Sequence, residues 1–181
     1  YLSSIILAGF LLLSGFCNII YSDTPWSPNV QVSATTGNES TIAAFYPNIY
    51  VSYNSSPQKF RMSTDAGITW QPETNFAGSC CDGSMYTDEF GYIHISVLFT
   101  SPSAIRYYRS TDNSSTWTAP ITLNSGLPSS VDKNWTFNTK NKIYVAWVAY
   151  NSSTSEWRAR ISKSNDRGLT FSPQIDINDG N

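Results

Sequence analysis

Residues 63–70 read STDAGITW, and the pattern returns as STDNSSTW at 110–117 and as SNDRGLTF at 164–171. The starts lie 47 and then 54 residues apart, and self-similarity at such a period marks a repeat architecture. The octet has the chemistry of a hairpin turn. Asp65 can fold its carboxylate back onto backbone N–H groups, and Gly67 can take the positive φ that the turn needs. Thr69 and Trp70 suit re-entry into a half-buried strand. Ser63, Asp65, Gly67 and Trp70 recur as Ser110, Asp112 and Trp117, then as Ser164, Asp166, Gly168 and Phe171. The second copy has Ser114 where the others have glycine, which predicts a strain of roughly 1 kcal/mol.

Upstream of each octet lies a segment that alternates or runs apolar and is rich in β-branched and aromatic residues: 49–53, 92–99 and 142–149. These read as buried second strands. Shorter segments at 41–45, 84–87 and 134–137 read as innermost strands, and 59–62, 104–109 and 157–163 as third strands. After each octet come an aromatic, a nearby proline and an alternating stretch, as in WTAPITL from 117 and FSPQIDI from 171. Proline fits there because a fourth strand would be an exposed edge. Residues 26–32 (WSPNVQV) share the form without a preceding octet and read as an orphan outer strand. No stretch beyond the leader carries a helical period.

The pattern Ser-x-Asp-x-Gly-x-Thr-Trp resembles the Asp-box, or BNR repeat, of sialidases and other β-propeller proteins, over residues 26–178. The resemblance implies an all-β fold, a β-propeller of four-stranded antiparallel blades with one octet per blade at the turn between third and fourth strands. Within 23–181 the expected parts are the outer strand 26–32 and blades at about 39–77, 80–124 and 132–178. Closed propellers typically hold 4–8 blades, so the chain is expected to be part of a larger ring. In that family the octet is structural and occurs in glycosidases and in non-enzymatic binding proteins, so it implies a fold more than an activity.

The chain has 181 residues, a formal charge of -2, 14% aromatic and 13% charged residues. That balance argues against disorder and suits an extracellular β-protein. With no basic cluster, nucleic acid is not an expected partner. The apolar run at 5–16 is too short for a comfortable span, and reads as the core of a secretion signal within residues 1–22, with an N-terminal anchor as the alternative. The first residue is Tyr1 and no basic segment precedes the run, so the start is expected to lie upstream. The expected location is secreted or cell-surface, with membrane contact only through that segment. Residues 14–17 (SGFC) miss the bacterial lipoprotein box by one inserted residue, which counts against lipidation at Cys17. Cys80 and Cys81 are adjacent and could form a vicinal disulfide or pair with cysteines outside the chain. His94 is the one histidine and there is no second Cys/His pair, so no metal is expected, and no cofactor. Asn38, Asn54, Asn113, Asn134 and Asn151 open glycosylation sequons.

Propeller topology would place the octets and the first-to-second-strand turns on one face, and the starts of the inner strands on the other. On that second face Glu39 lies ten residues before Ile49, Asp82 eleven before Ile93, and Asp132 eleven before Ile143. Three carboxylates from three blades suit acid–base chemistry on a glycoside, a cation, or sugar hydroxyls. The alternative is that each caps its own strand start. Lys59, Arg106, Arg158 and Arg160 would lie towards the same face. Trp135, Tyr150 and Trp157 could stack on sugars or pack between blades, and His94 reads as a packed polar residue.

A sialidase, which the resemblance brings in, needs three arginines gripping the substrate carboxylate bidentately, a tyrosine–glutamate pair and an acid/base aspartate. The Arg-Ile-Pro element that usually supplies the first arginine does not occur. Arg61 leads into an octet and is no substitute, and neither Tyr86 nor Tyr150 stands out by type. Two functions therefore stand. One is an exported carbohydrate- or surface-ligand-binding module with Asp82, Asp132, Glu39, Arg106 and Trp157 as ligand contacts. The other is a sialidase-like exo-α-sialidase whose remaining site residues lie elsewhere, with Asp82, Asp132 and Glu39 as catalytic candidates. Asp82 is favoured among the acids, because a disulfide at Cys80 and Cys81 would stiffen its turn and could raise its pKa by desolvation.

Overall fold

A computed structural model describes residues 29–125 and 130–177. The expected signal or anchor at 1–22, Cys17 and Trp26 lie outside the described residues. All three blades fall in the unit Gln31–Asn181. There are twelve strands and no helix among the described residues. Blade one holds β1 (Asn38–Phe45), β2 (Asn48–Asn54), β3 (Lys59–Ser63) and β4 (Thr74–Asn75). Blade two holds β5 (Cys81–Thr87), β6 (Ile93–Thr100), β7 (Ser103–Ser110) and β8 (Ile121–Thr122), and blade three holds β9 (Val131–Thr139), β10 (Lys142–Asn151), β11 (Glu156–Ser164) and β12 (Ile175–Asp176). Each is an antiparallel sheet ordered as in sequence, so the chain is all-β and carries three four-stranded propeller blades.

The second strands explain the stacking. Along β6, Ile93, Ile95, Val97 and Phe99 join Tyr50, Phe60 and Phe76 of blade one in a shared core. From its other face Leu98 joins Ile105, Tyr107, Val145 and Trp147 in a core shared with blade three. A strand covered on both faces needs no polar side, which is why this stretch reads almost continuously apolar. The polar exceptions are paired. His94 is fully buried, with Nδ1 2.5 Å from the Tyr107 hydroxyl and Nε2 3.3 Å from Asp88 Oδ2. Ser96 Oγ meets Thr136 Oγ1 at 2.6 Å and accepts from Asn134 Nδ2 at 2.7 Å, tying blade two to blade three.

The octets form the turns between third and fourth strands, with one hydrogen-bond set repeated three times. Ser63 Oγ donates to Asp65 Oδ1 (2.7 Å) and accepts from the Gly67 amide (2.8 Å), while Asp65 Oδ1 accepts from the Thr69 amide (2.8 Å). Ser110, Asp112, Ser114 and Thr116 repeat this set, as do Ser164, Asp166, Gly168 and Thr170. Ser114 takes φ 64°, as the glycine-free copy requires, and Ala66, Asn113 and Arg167 also sit in the left-handed region.

Two expectations about strand extent change. Thr69 and Trp70 do not re-enter a strand: the outer strands are two residues each, beginning at Thr74, Ile121 and Ile175. Pro72, Pro120 and Pro173 remove an amide donor before each ladder can start. Residues 29–32 of the expected outer strand form no strand either. Each third strand already has its own edge partner in β4, β8 or β12.

Candidate functional site

The inner strands start earlier than their hydrophobic pattern suggests, and each is broken by a β-bulge near its start. The pairs Thr41–Ser52, Ser84–Ser96 and Trp135–Ala146 align the blades, and the ladder skips two residues just before each of Thr41, Ser84 and Trp135. The first skipped residue is left-handed every time: Glu39 (φ 44°), Asp82 (φ 53°) and Lys133 (φ 49°). Bulges of this kind re-aim side chains. Here they deliver three equivalent tripeptides, 39–41, 82–84 and 133–135, to one cavity of about 320 Å3.

Asp132 is therefore not the counterpart of Glu39 and Asp82. Blades one and three turn between first and second strands in two residues, whereas blade two uses 88–92. A spacing of ten in blade one thus corresponds to eleven in blade two but to ten in blade three, and the residue ten before Ile143 is Lys133. Asp132 takes the position of Cys81, and its Oδ1 accepts from the Lys133 amide at 2.9 Å.

The cavity holds a linked charge cluster. Lys133 Nζ lies 3.7 Å from Glu39 Oε1 and 3.5 Å from Asp82 Oδ2. Asn54, at the end of β2, donates from Nδ2 to Glu39 Oε2 (2.6 Å) and Asp82 Oδ1 (3.1 Å), and its Oδ1 accepts from the Asp82 amide (2.6 Å). One amide thus fixes two carboxylates from different blades. Burial pushes the Asp82 carboxyl up, but hydrogen bonding with Asn54, Glu39 and Asp132 and the Lys133 charge outweigh it, leaving the pKa below the usual carboxylate range. This reverses the expected rise. Asp82 and Glu39 hold the Lys133 ammonium above its ordinary pKa. Trp135 flanks the cluster at 72% exposure.

Cys80 and Cys81 are joined in a vicinal disulfide directly before Asp82. Both pack against the Leu98 cluster, and the Cys80 amide donates to the Leu98 carbonyl. The other expected contacts do not reach this cavity. Arg106 lies over the Phe99 ring at 4.1 Å, and Trp157 packs against Tyr150 at 5.4 Å. Lys59 pairs with Glu73, Arg158 with Glu156, and Arg160 with Asp176. Lys133 and Asn54 were missed as site residues. Lys133 shares no type with the two acids, and Asn54 shows in the sequence only as a sequon. Its amide is committed to the cluster, and that of Asn134 to Ser96.

No protein-family model matches the sequence, and no curated protein matches it. Solved structures do. An α-L-arabinofuranosidase from Fusarium graminearum, in complex with an iminosugar inhibitor, matches at 15% identity and a TM-score of 0.58, over 76% of this chain and 47% of its own. A Penicillium chrysogenum α-L-arabinanase complexed with arabinobiose matches at 15% identity and a TM-score of 0.57, over 76% and 48%. An endo-arabinase from Bacteroides thetaiotaomicron matches at 15% identity and 0.54, over 82% and 64%. The chain spans about half the length of the first two. At this level of identity the likeness shows the fold, a β-propeller, and not an activity.

Proposed function

We propose that the chain supplies part of a glycan-binding propeller, with the ligand held at the cavity of Glu39, Asp82, Lys133 and Trp135. The observation that carries this is the convergence of three equivalent bulges on one cavity that places two carboxylates, an ammonium and an exposed indole side by side. Sugars present hydroxyls that both donate and accept, and apolar ring faces that cover an aromatic surface. A few convergent polar groups beside an apolar wall have the character of a small-ligand site. The glycan ligands or substrates of the matched propellers support the same direction.

A hydrolytic reading has one observation in its favour. Glu39 and Asp82 both accept from Asn54 Nδ2, at 2.6 and 3.1 Å, which sets two carboxylates side by side as acid–base work on a glycoside needs. Asp82, held ionised, would serve as nucleophile or base. The exo-α-sialidase form has less support, because Lys133, the one cation among the described residues lining the cavity, is already engaged by Glu39 and Asp82. An extracellular setting, with the segment 1–22 as signal or anchor, completes the proposal.

The test is titration calorimetry with arabinobiose, xylobiose and sialyllactose, alongside hydrolysis assays on the corresponding aryl glycosides. Binding of a neutral disaccharide, weakened about tenfold by Trp135→Ala with an unchanged melting temperature, is the expected result. Tight binding of sialyllactose with no neutral binding would overturn the proposed ligand class, and no binding of any glycan would overturn the site.

A further inference from the structure

The octet end of the joint between blades two and three carries a cavity of about 370 Å3. Tyr92, Arg109 and Thr111 wall it from blade two, and Asn141, Asp166 and Arg167 from blade three. These blades pack on each other through the Leu98 core, so the cavity is not the open face of an unpartnered blade. The equivalent joint between blades one and two is neutral. There Met62 stands where Arg109 stands, just before its octet, and Asn113 holds the octet position of Arg167. The Ser114 hydroxyl reaches Met62 Sδ at 3.5 Å, and Asn113 Oδ1 accepts from Asn48 Nδ2 at 3.2 Å and the Tyr50 hydroxyl at 3.1 Å. The second joint replaces these neutral contacts with two guanidiniums. Arg109 Nη1 donates to the Arg167 carbonyl at 2.9 Å, and the Arg167 guanidinium lies over the Phe90 ring at 4.2 Å.

Holding the joint together uses little of this pair. A guanidinium carries five N–H donors. Among the described residues the side chain of Arg109 spends one of them and that of Arg167 spends none at hydrogen-bond distance, and the Nε of each is buried without a partner. Two carboxylates stand near. Asp166 is committed to Ser164 and Thr170 of its own octet. Glu89 Oε1 lies 3.8 Å from Arg167 Nη2, beyond hydrogen-bond reach, and the two side chains are 48% and 39% exposed. An exposed pair of this length contributes little, so it yields to a better acceptor. We propose that this cavity is a site for a small oxyanion, a carboxylate or sulfate group gripped by Arg109 and Arg167, with Glu89 as the internal competitor that the ligand displaces. The guanidinium fork matches such groups bidentately. The Thr111 hydroxyl and the Asn141 amide border the same cavity and add neutral donors. The site is separate from the cluster of Glu39, Asp82 and Lys133, and does not depend on the glycan reading of that cluster.

The test is calorimetric and thermal-shift titration of the chain with sodium acetate and sodium sulfate, each against sodium chloride at matched ionic strength. The expected result is saturable binding of at least one of the two oxyanions with a rise in melting temperature that chloride does not give. Arg167→Met keeps an apolar stem on Phe90, removes the charge, and should weaken that binding by at least about tenfold. Because Arg167→Met also removes a ring contact, Glu89→Gln is the second variant. Loss of the competing carboxylate should tighten binding about threefold. Preference for acetate assigns the ligand group as a carboxylate, and preference for sulfate assigns it as a sulfate. Protection by chloride equal to that by both oxyanions is an ionic-strength effect and overturns the site, as does oxyanion binding that survives Arg167→Met unchanged. Unchanged or weakened binding in Glu89→Gln overturns the competitor and with it the proposed displacement.

Discussion

Every blade holds non-glycine residues in left-handed backbone at two equivalent places, and blade three adds Lys140 and Ser155. One is the octet turn, at Ala66, Asn113, Ser114 and Arg167; the other is the inner-strand bulge, at Glu39, Asp82 and Lys133. In the octets the side chains repeat with the backbone: a serine, an aspartate and a threonine close every copy with the same bonds. In the bulges the backbone repeats while the chemistry does not, giving an acid, an acid and a base. Side chains that recur with a conformation serve that conformation. Side chains that vary on a constant conformation are free to serve a ligand, and the cavity lined by all three bulges is the proposed place for one.

The comparison breaks most severely at Gly168. A Cβ there would stand 1.8 Å from the Tyr107 hydroxyl oxygen, on a backbone at φ 79°. Gly168→Ala should cost about 3 kcal/mol, from overpacking combined with left-handed strain, measured as a shift in the denaturant midpoint. Gly67 has a roomier setting, with the nearest atom at 3.6 Å, so Gly67→Ala should cost only about 1 kcal/mol.

Acid sharpens the comparison through two windows. Burial holds the His94 imidazole below its ordinary pKa, against the pull of Asp88 and with a push from Arg109. The unfolded chain therefore binds this proton first, and stability falls as pH drops below about 6.5. Denaturation at pH 7 and pH 5 should show the decline, and His94→Gln should flatten it. Hydrogen bonds from Thr69 and Ser63 lower Asp65 to about 2, and those from Ser164 and Thr170 do the same for Asp166. These groups stabilise the fold above the unfolded carboxylate value and lose that effect as pH falls from about 4 towards 2. Asp166→Asn should blunt the lower window and leave the upper one unchanged.

The smallest expected effect is a gain. Ser114→Gly relieves the left-handed strain of the one octet without glycine and should stabilise by roughly 0.5–1 kcal/mol in the same denaturation assay.

The octets and the second strands were legible because each is set by local rules. Ser63, Asp65 and Gly67 spell out their own turn, and Ile93 to Phe99 spell out burial on both faces. The candidate site was legible only in part. Glu39 and Asp82 could be found by counting back from the second strands, but the count failed at Asp132. It accepted ten or eleven residues wherever an acid fell, whereas eleven belongs only to blade two, whose longer turn at 88–92 is set by Asp88 Oδ1 accepting from the Phe90 and Tyr92 amides. Asn54 was invisible as a site residue, because its role depends on a contact between blades. Trp135 stood open between sugar stacking and packing between blades, and its place opposite Ala146 matches that of Thr41 and Ser84, which reach the following blade.

The most direct test of the division between octet and bulge pairs Asp82→Asn with Asp112→Asn, each measured for melting temperature and for neutral-glycan binding. Both remove one carboxylate from a left-handed element while keeping its shape. The account predicts that Asp82→Asn loses at least about tenfold in affinity while melting within a degree or two of the parent. Asp112→Asn should melt several degrees lower and bind unchanged at a temperature where it is folded. A clear fall in melting temperature for Asp82→Asn with full affinity retained would contradict the account, and would make the bulges structural in the same sense as the octets.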